Sequence, residues 1–341
     1  MKNNSPQPPI PNPKILITGG AGFIGSHFVK EAVKRGFDVV VIDKLSYCAD
    51  LGRLENIQER YKFYKTNICR KLEIKSIFAK EKPDFVVHFA AESHVDRSIQ
   101  SSGLCVKTNV LGTHILLDCA KIYKVKRFIH VSTDEVYGQI KKGKFKEDSP
   151  LQPRSPYSAS KAAADCLVNS YINTYDFPAI IVRPSNNYGP SQYPEKFIPV
   201  IIYKALHNQK VPVYAKGQQR REWLYVADCI RAIFLVLKKG KLGEIYNIGT
   251  AQERKNIEVA EKIIEKLGTQ KSLIQFVKDR PGHDFRYSVN CDKIKKLGWK
   301  AKNTFDQGLD KTISWYQDNK KWLNLKAKSL KNYWDNVYKL Q

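Results

Sequence analysis

Lys14-Ile-Leu-Ile-Thr18-Gly19-Gly20-Ala21-Gly22-Phe23-Ile24-Gly25 compresses a strand, a turn and the start of a helix into one short run. Its apolar half suits a strand buried on both faces of a parallel sheet. The glycines spaced three apart let the backbone turn tightly and approach a pyrophosphate at a helix N-terminus. Ser26 to Arg35 reads as that helix. Asp38-Val-Val-Val-Ile-Asp43 reads as the next strand, ending in an acid about twenty residues beyond the first glycines, the usual ribose-binding position. Asp43 is therefore placed to bind adenosine ribose hydroxyls, which favours NAD over NADP. The glycine spacing is G-x-x-G-x-x-G, one variant of the dinucleotide pattern.

Working outward, the same alternation repeats. Tyr61 to Lys65, Phe85 to Phe89, Arg127 to Val131 and Ala179 to Arg183 read as strands, with helices at 70–80, 103–122 and 158–175 between them. Alternation of this size predicts a parallel, doubly wound α/β sheet whose ligand lies at the carboxyl ends of the strands. The glycine loop, Ala90-Ala91-Glu92-Ser93 and Thr133-Asp134-Glu135 all fall at such ends. After Tyr188 the alternation fades, so a nucleotide-binding domain is expected over 14–188 and a smaller α/β substrate domain over 189–341. The chain is expected to cross back to the first domain around 222–249.

Composition narrows the function class. Of 341 residues, 42% are hydrophobic, enough for a packed core beyond one average domain. No apolar run reaches membrane-spanning length, and residues 1–13 are polar and proline-rich, reading as a disordered leader without a signal-peptide core. The seven cysteines form no C-x-x-C pair, which points to reduced thiols in a cytoplasmic protein and to no metal site. The net charge of +25 is spread along the chain without a nucleic-acid motif, so a solvated basic surface is expected, and no nucleic-acid or membrane partner.

Tyr157-Ser158-Ala159-Ser160-Lys161 carries the chemistry. Residues four apart on a helix share a face, so Tyr157 and Lys161 can address one ligand. A free tyrosine titrates near 10. A neighbouring ammonium favours its phenolate, making the pair a plausible hydroxyl-deprotonating base. Upstream, Ser132-Thr133-Asp134-Glu135-Val136-Tyr137-Gly138 sets two carboxyls side by side.

Together with Ala90-Ala-Glu-Ser-His-Val-Asp-Arg-Ser98, Ser185-Asn-Asn-Tyr-Gly-Pro190, Pro194-Glu-Lys196, Arg221-Glu-Trp-Leu-Tyr-Val226 and Arg280-Pro-Gly-His-Asp284, these segments resemble the extended short-chain dehydrogenase/reductases. The closest resemblance is to the dTDP-glucose 4,6-dehydratases, of which the Thr-Asp-Glu triplet is the most specific sign. The resemblance runs from Lys14 onward and implies a Rossmann-type doubly wound sheet with a smaller α/β substrate domain. It also implies a reaction on dTDP-glucose. Tyr157 takes the 4-hydroxyl proton while C4 hydride passes to NAD, Lys161 holds the nicotinamide ribose and Thr133 binds the C4 oxygen. Glu135 removes the C5 proton, Asp134 protonates the departing C6 oxygen, and hydride returns to C6. Two adjacent carboxyls with opposite duties need environments that push their pKa values apart.

The same resemblance assigns cofactor contacts to Gly19, Gly22, Phe23, Ile24, Gly25, Asp43, Lys44, Leu45, Ser46, Ala90, Ala91, Ser93, Thr108, Tyr157, Lys161 and Asn187. Asn67-Ile68 stands where the family has Asp-Ile at the adenine; an amide carbonyl still accepts that hydrogen bond. For the substrate it points to Ser93, Thr133, Asn186, Lys196, Phe197, Pro212, Val213, Tyr214, Arg221, Asn256, Arg280 and His283. Arg221 and Arg280 suit a diphosphate, and Tyr214 offers a face for the base. A homodimer built on helices near 103–122 and 156–174 is also implied. Competing expectations are a UDP- or CDP-hexose 4,6-dehydratase, a 4-epimerase, and a non-enzymatic NAD-binding regulator. The Asp134-Glu135 pair argues against the second, and the intact Tyr157 and Lys161 against the third.

Overall fold

The computed structural model describes residues 12–338, so all but two residues of the expected leader lie outside the described part. Six strands alternate with helices along the first half: β1 (Lys14–Thr18), β2 (Asp38–Asp43), β3 (Tyr61–Lys65), β4 (Phe85–His88), β5 (Arg127–Val131) and β6 (Ala179–Pro184). Three short strands follow, β7 (Asn186–Tyr188), β8 (Val211–Tyr214) and β9 (Arg220–Tyr225), and then β10 (Ile245–Ile248), β11 (Glu253–Lys255) and β12 (Ile274–Val277). The large sheet runs β10-β6-β5-β4-β1-β2-β3, and every neighbouring pair is parallel. Its strands are near-continuous apolar runs because helices cover both faces; all six residues of β6 are buried.

One face of the sheet packs Phe28, Val29, Ile129, Val182 and the helix Val226–Lys239; the other packs Leu16, Val40, Leu116, Phe128 and Ile181. β1 sits between β4 and β2, the point where strand order reverses, so a crevice opens at their carboxyl ends. Asn186 to Tyr188 already belongs to the second unit, where β7 pairs with β9 and β9 with β11; β8 pairs with β12. The chain returns to the large sheet through the Val226–Lys239 helix and β10. A third core, holding Tyr188, Ile201, Val213, Trp223 and Tyr316, fills the second unit.

Two local readings differ from the sequence expectation. The first helix starts at Phe23, inside the glycine motif, because Gly22 takes the extended cap conformation there. The helix expected over 103–122 is interrupted by π-helical geometry over Val106–Gly112, a wider turn that often marks a functional segment. Here it turns Asn109 inward, where its amide donates to Glu92 O (3.0 Å) and Ser160 Oγ (2.8 Å) and accepts from Glu92 N (2.8 Å).

Away from the crevice, Glu81 ties the Lys71–Glu81 helix to the sheet through Tyr64 (2.6 Å) and Lys14 (2.9 Å). Burial would raise its pKa, but the hydrogen bonds from Tyr64, Lys14 and Lys62 outweigh it and hold the carboxyl at about 2. A depressed carboxyl contributes stability that is complete above its unfolded value and is lost as pH falls. The contribution of Glu81 is therefore expected to disappear between 4.5 and about 2. Denaturant titrations of wild type and Glu81→Gln across that window check this; a constant stability difference would contradict it.

Candidate active site

The glycine turn lies against the end of β4. Gly19 has φ +71, and a Cβ there would sit 2.6 Å from Ala90 N, so no side chain fits between the two strand ends. A Cβ on Gly25 would run into the Gly19 carbonyl. Arg53, buried at 4% exposure, holds this loop from behind: it donates to the carbonyls of Ala21 (2.8 Å), Cys48 (2.9 Å) and Ser191 (3.0 Å). Asp43 accepts from Ala21 N (3.0 Å) and Leu45 N (2.8 Å). Burial raises its pKa against those hydrogen bonds.

The catalytic helix, Pro156–Tyr175, starts on Ser155, whose hydroxyl accepts from Ser158 N at 3.1 Å while proline takes the first helical position. That start puts Tyr157 and Lys161 on the buried face. The Lys161 ammonium donates to Val131 O at 2.8 Å, at the end of β5. Just beyond, Thr133 caps a single tight turn, Asp134–Tyr137, accepting from Glu135 N at 3.3 Å. Tyr137, bonded to Asn247 (2.8 Å) and Arg183 (2.7 Å), anchors the far end of the turn.

The two carboxyls meet different surroundings. Asp134 is 2% exposed, and its Oδ2 has no hydrogen-bond partner. Burial first, then the charges of Glu135 and Glu222, push its pKa well above the usual range against Arg221 and Thr133. Burial also raises Glu135, but Arg280, Arg221 and Lys196 oppose the rise with three positive charges. Asp134 is thus arranged to hold a proton and Glu135 to give one up more readily. Lys161 is pulled down to about 8 by burial, with Asp165 opposing.

The surroundings of the tyrosine oppose the expected depression. Burial, then the nearby Glu135 charge, raise Tyr157, with Thr133 as the opposing hydrogen bond. The Lys161 ammonium points to Val131 O in this arrangement.

Of the residues assigned to the dinucleotide, all but Leu45 line one cleft; Leu45 donates its amide to Asp43 instead. Asn67 Oδ1 accepts from Cys69 N at 3.0 Å, closing its own loop. The cleft fits a dinucleotide on two observations. Its floor is a cradle that any Cβ would fill, and Asn187 Oδ1 and Ser185 Oγ are buried in its wall without partners. Gly19→Ala is expected to leave the purified protein without NAD, read from the absorbance of the heat-released nucleotide. A full complement would show the cradle to be unnecessary.

Of the residues assigned to the substrate, Pro212 and Val213 fall outside the lining. Val213 is fully buried in the core of the second unit, because alternate residues of β8 face opposite sides. Tyr214, next along, faces the cleft and donates to Asp96 at 3.3 Å. Arg280 donates to the other Asp96 oxygen at 3.2 Å. Arg221 is held by the carbonyls of Arg220 and Asp284, both at 2.8 Å, and stacks on Tyr287. His283 Nδ1 donates to Asp279 at 2.6 Å, and the ring packs edge-on to Tyr214. Lys196 donates to Ser93 O at 2.7 Å, and Phe197 stacks on Trp223.

Several site residues escaped the sequence reading. Asp96 and Glu222 lay in the quoted segments, so a signal existed, but nothing in a segment says which acid is buried. Glu195 holds Tyr47 (2.8 Å) and Arg97 (3.1 Å), and Arg97 lies between the rings of Tyr47 (4.0 Å) and Tyr333 (4.4 Å). Tyr338, from the last helix, also lines the cleft.

The sequence and the fold match known proteins. A family model described as GDP-mannose 4,6 dehydratase matches residues 16–312. A dTDP-glucose 4,6-dehydratase from Neisseria meningitidis serogroup B is 47% identical, covering 91% of this chain and 94% of its own length. The chain belongs to the dTDP-glucose 4,6-dehydratases. Among solved structures, the family member from Streptomyces venezuelae with NAD bound superposes with TM-score 0.88 at 42% identity, covering 91% of this chain and 98% of that one. A Thermotoga maritima UDP-glucose 4-epimerase shares the fold at TM-score 0.85 but only 30% identity, covering 90% and 99%.

Proposed function

We propose that the protein converts dTDP-glucose to dTDP-4-keto-6-deoxy-glucose, using Thr133, Asp134, Glu135, Tyr157 and Lys161. The observation that carries the reading is the pair of adjacent carboxyls in opposed environments, in the same cleft as the tyrosine and lysine. When bound, NAD takes up the C4 hydride and later returns it to C6. The protein supplies the proton transfers. Tyr157 accepts the 4-hydroxyl proton, and the Thr133 hydroxyl steadies the C4 oxygen. The C4 ketone acidifies C5–H, which Glu135 removes. Asp134 hands its proton to the C6 oxygen, so that water departs instead of hydroxide. Glu135 then returns a proton to C5. Arg221 and Arg280 provide guanidinium forks for the diphosphate.

An epimerase needs no proton donor at C6, so a buried Asp134 carboxyl whose pKa is pushed up has no task in one. Purified protein incubated with dTDP-glucose and no added reductant is expected to give a product lighter by one water. A product of unchanged mass overturns the dehydratase reading, and a panel with UDP- and CDP-glucose reads the nucleotide preference. The pH–rate profile is expected to be bell-shaped. Its acid limb includes protonation of Glu135, whose pKa burial raises above the ordinary glutamate value of 4.5. Its alkaline limb includes loss of the raised Asp134 proton. An acid limb at or below the ordinary value would remove Glu135 from the role of base.

A cytoplasmic homodimer completes the proposal. Among the described residues no helix is long and apolar enough to cross a membrane. Leu104, Val106, Leu111 and Ile122 are exposed apolar residues on the helical segments from Gly103 to Ile122. Covering such residues is what a second copy would do. Sedimentation of the purified protein tests it, with a monomer at micromolar concentration as the contrary result.

A further inference from the structure

The last helix, Lys331–Tyr338, reaches the cleft from outside both units. Its two ends do different things. Trp334 is 2% exposed, packed against the Tyr203 ring at 5.1 Å and the Lys204 ammonium at 4.7 Å. Tyr333 packs edge-on to His94 and under Arg97. Trp334 and Tyr338 are four residues apart, so they share a helix face, and docking the first carries the second inward. There the Tyr338 ring lies 5.8 Å from that of Tyr214 at an interplanar angle of 55°, a tilted aromatic contact.

Position along the cleft gives this contact its meaning. Arg280 and Tyr214 bond the two oxygens of Asp96, at 3.2 and 3.3 Å, and the Tyr338 ring is the next against Tyr214. Tyr214 and Tyr338 thus continue from Arg280 through Asp96. If Arg221 and Arg280 hold a diphosphate, as the proposed function has it, the end occupied by Tyr338 is the end where the base lies. We infer that Tyr338 is a specificity-determining residue of the substrate cleft, forming with Tyr214 an aromatic wall for the pyrimidine base. It adds apolar surface there and keeps the Tyr214 ring in the tilt that presents its face. It takes no part in the proton transfers, which fall to Thr133, Asp134, Glu135, Tyr157 and Lys161.

Calorimetric titration of dTDP into wild type, Tyr338→Ala and Tyr338→Phe tests this without relying on turnover. Losing one aromatic contact is expected to weaken dTDP about tenfold in the alanine variant and to leave the phenylalanine variant near wild type. The KM for dTDP-glucose is expected to rise by the same factor, with kcat and bound NAD unchanged. Tyr338→Leu, which keeps an apolar side chain on the docked face, carries the same expectation where the alanine variant fails to fold. Equal dTDP affinity in all variants overturns the inference and leaves the functional reading standing. A wild type that does not bind dTDP overturns both. A kcat loss at unchanged affinity also overturns it, by moving Tyr338 to the chemistry.

Discussion

Tyr157→Phe is expected to lower turnover by about 10²–10⁴-fold, the usual worth of a positioned general base. The variant removes one hydroxyl from a ring that is 8% exposed and packed in the catalytic helix. Folding and bound NAD should therefore persist. The loss should fall on C4 oxidation, seen as absence of the single-turnover rise in absorbance at the reduced nicotinamide band. Burial and the Glu135 charge raise the tyrosine pKa. The Lys161 ammonium, and the positive charge an oxidised nicotinamide would bring, favour the phenolate instead. Near-normal turnover in the phenylalanine variant would show that another group takes the proton.

The two carboxyl variants are expected to fail at different bonds, each again by about 10²–10⁴-fold. Glu135→Gln leaves Tyr157 in place, so C4 should still be oxidised and reduced nucleotide should accumulate on the enzyme. In deuterated water little deuterium should enter C5. Asp134→Asn should also oxidise C4, but its defect lies in expelling the C6 oxygen. With Glu135 intact, exchange at C5 continues while water loss slows. Stopped-flow absorbance with mass-resolved deuterium uptake separates the two. Normal C5 exchange in Glu135→Gln removes it as the base, and full-speed dehydration in Asp134→Asn removes it as the acid.

The fold was legible because parallel strands buried on both faces read as apolar runs, and Ile15 to Thr18 and Ala179 to Pro184 are such runs. The glycine spacing and Asp43 were legible because a close backbone approach excludes every other residue. Arg53 was not: a buried arginine that clamps three carbonyls looks the same in sequence as a solvated one. Asn109 was hidden for a related reason, since apolar periodicity cannot distinguish an α-turn from the π-turn that rotates it inward. The Pro212-Val213-Tyr214 segment shows a third limit. The resemblance marks the strand as near the substrate, while the pleat turns Val213 into the core and Tyr214 to the cleft wall, and Pro212, on Tyr214's face, lies outside the lining. The pKa of Tyr157 depends on where the Lys161 ammonium points, which four-residue spacing leaves open.

The Arg97 guanidinium, held between Tyr47 and Tyr333 and tied to Glu195, joins the loop after β2 to the last helix. Ser46 and Cys48, on either side of Tyr47, face the nucleotide end of the cleft. Swinging that loop aside would strip Arg97 of one ring and break the Tyr47–Glu195 hydrogen bond at the same time. Escape of the dinucleotide is therefore expected to be slow compared with a catalytic cycle, so that the same molecule serves many successive sugars. Labelled NAD in the medium should exchange with the bound pool only over many turnovers, and Arg97→Ala should turn a resident carrier into one that comes and goes.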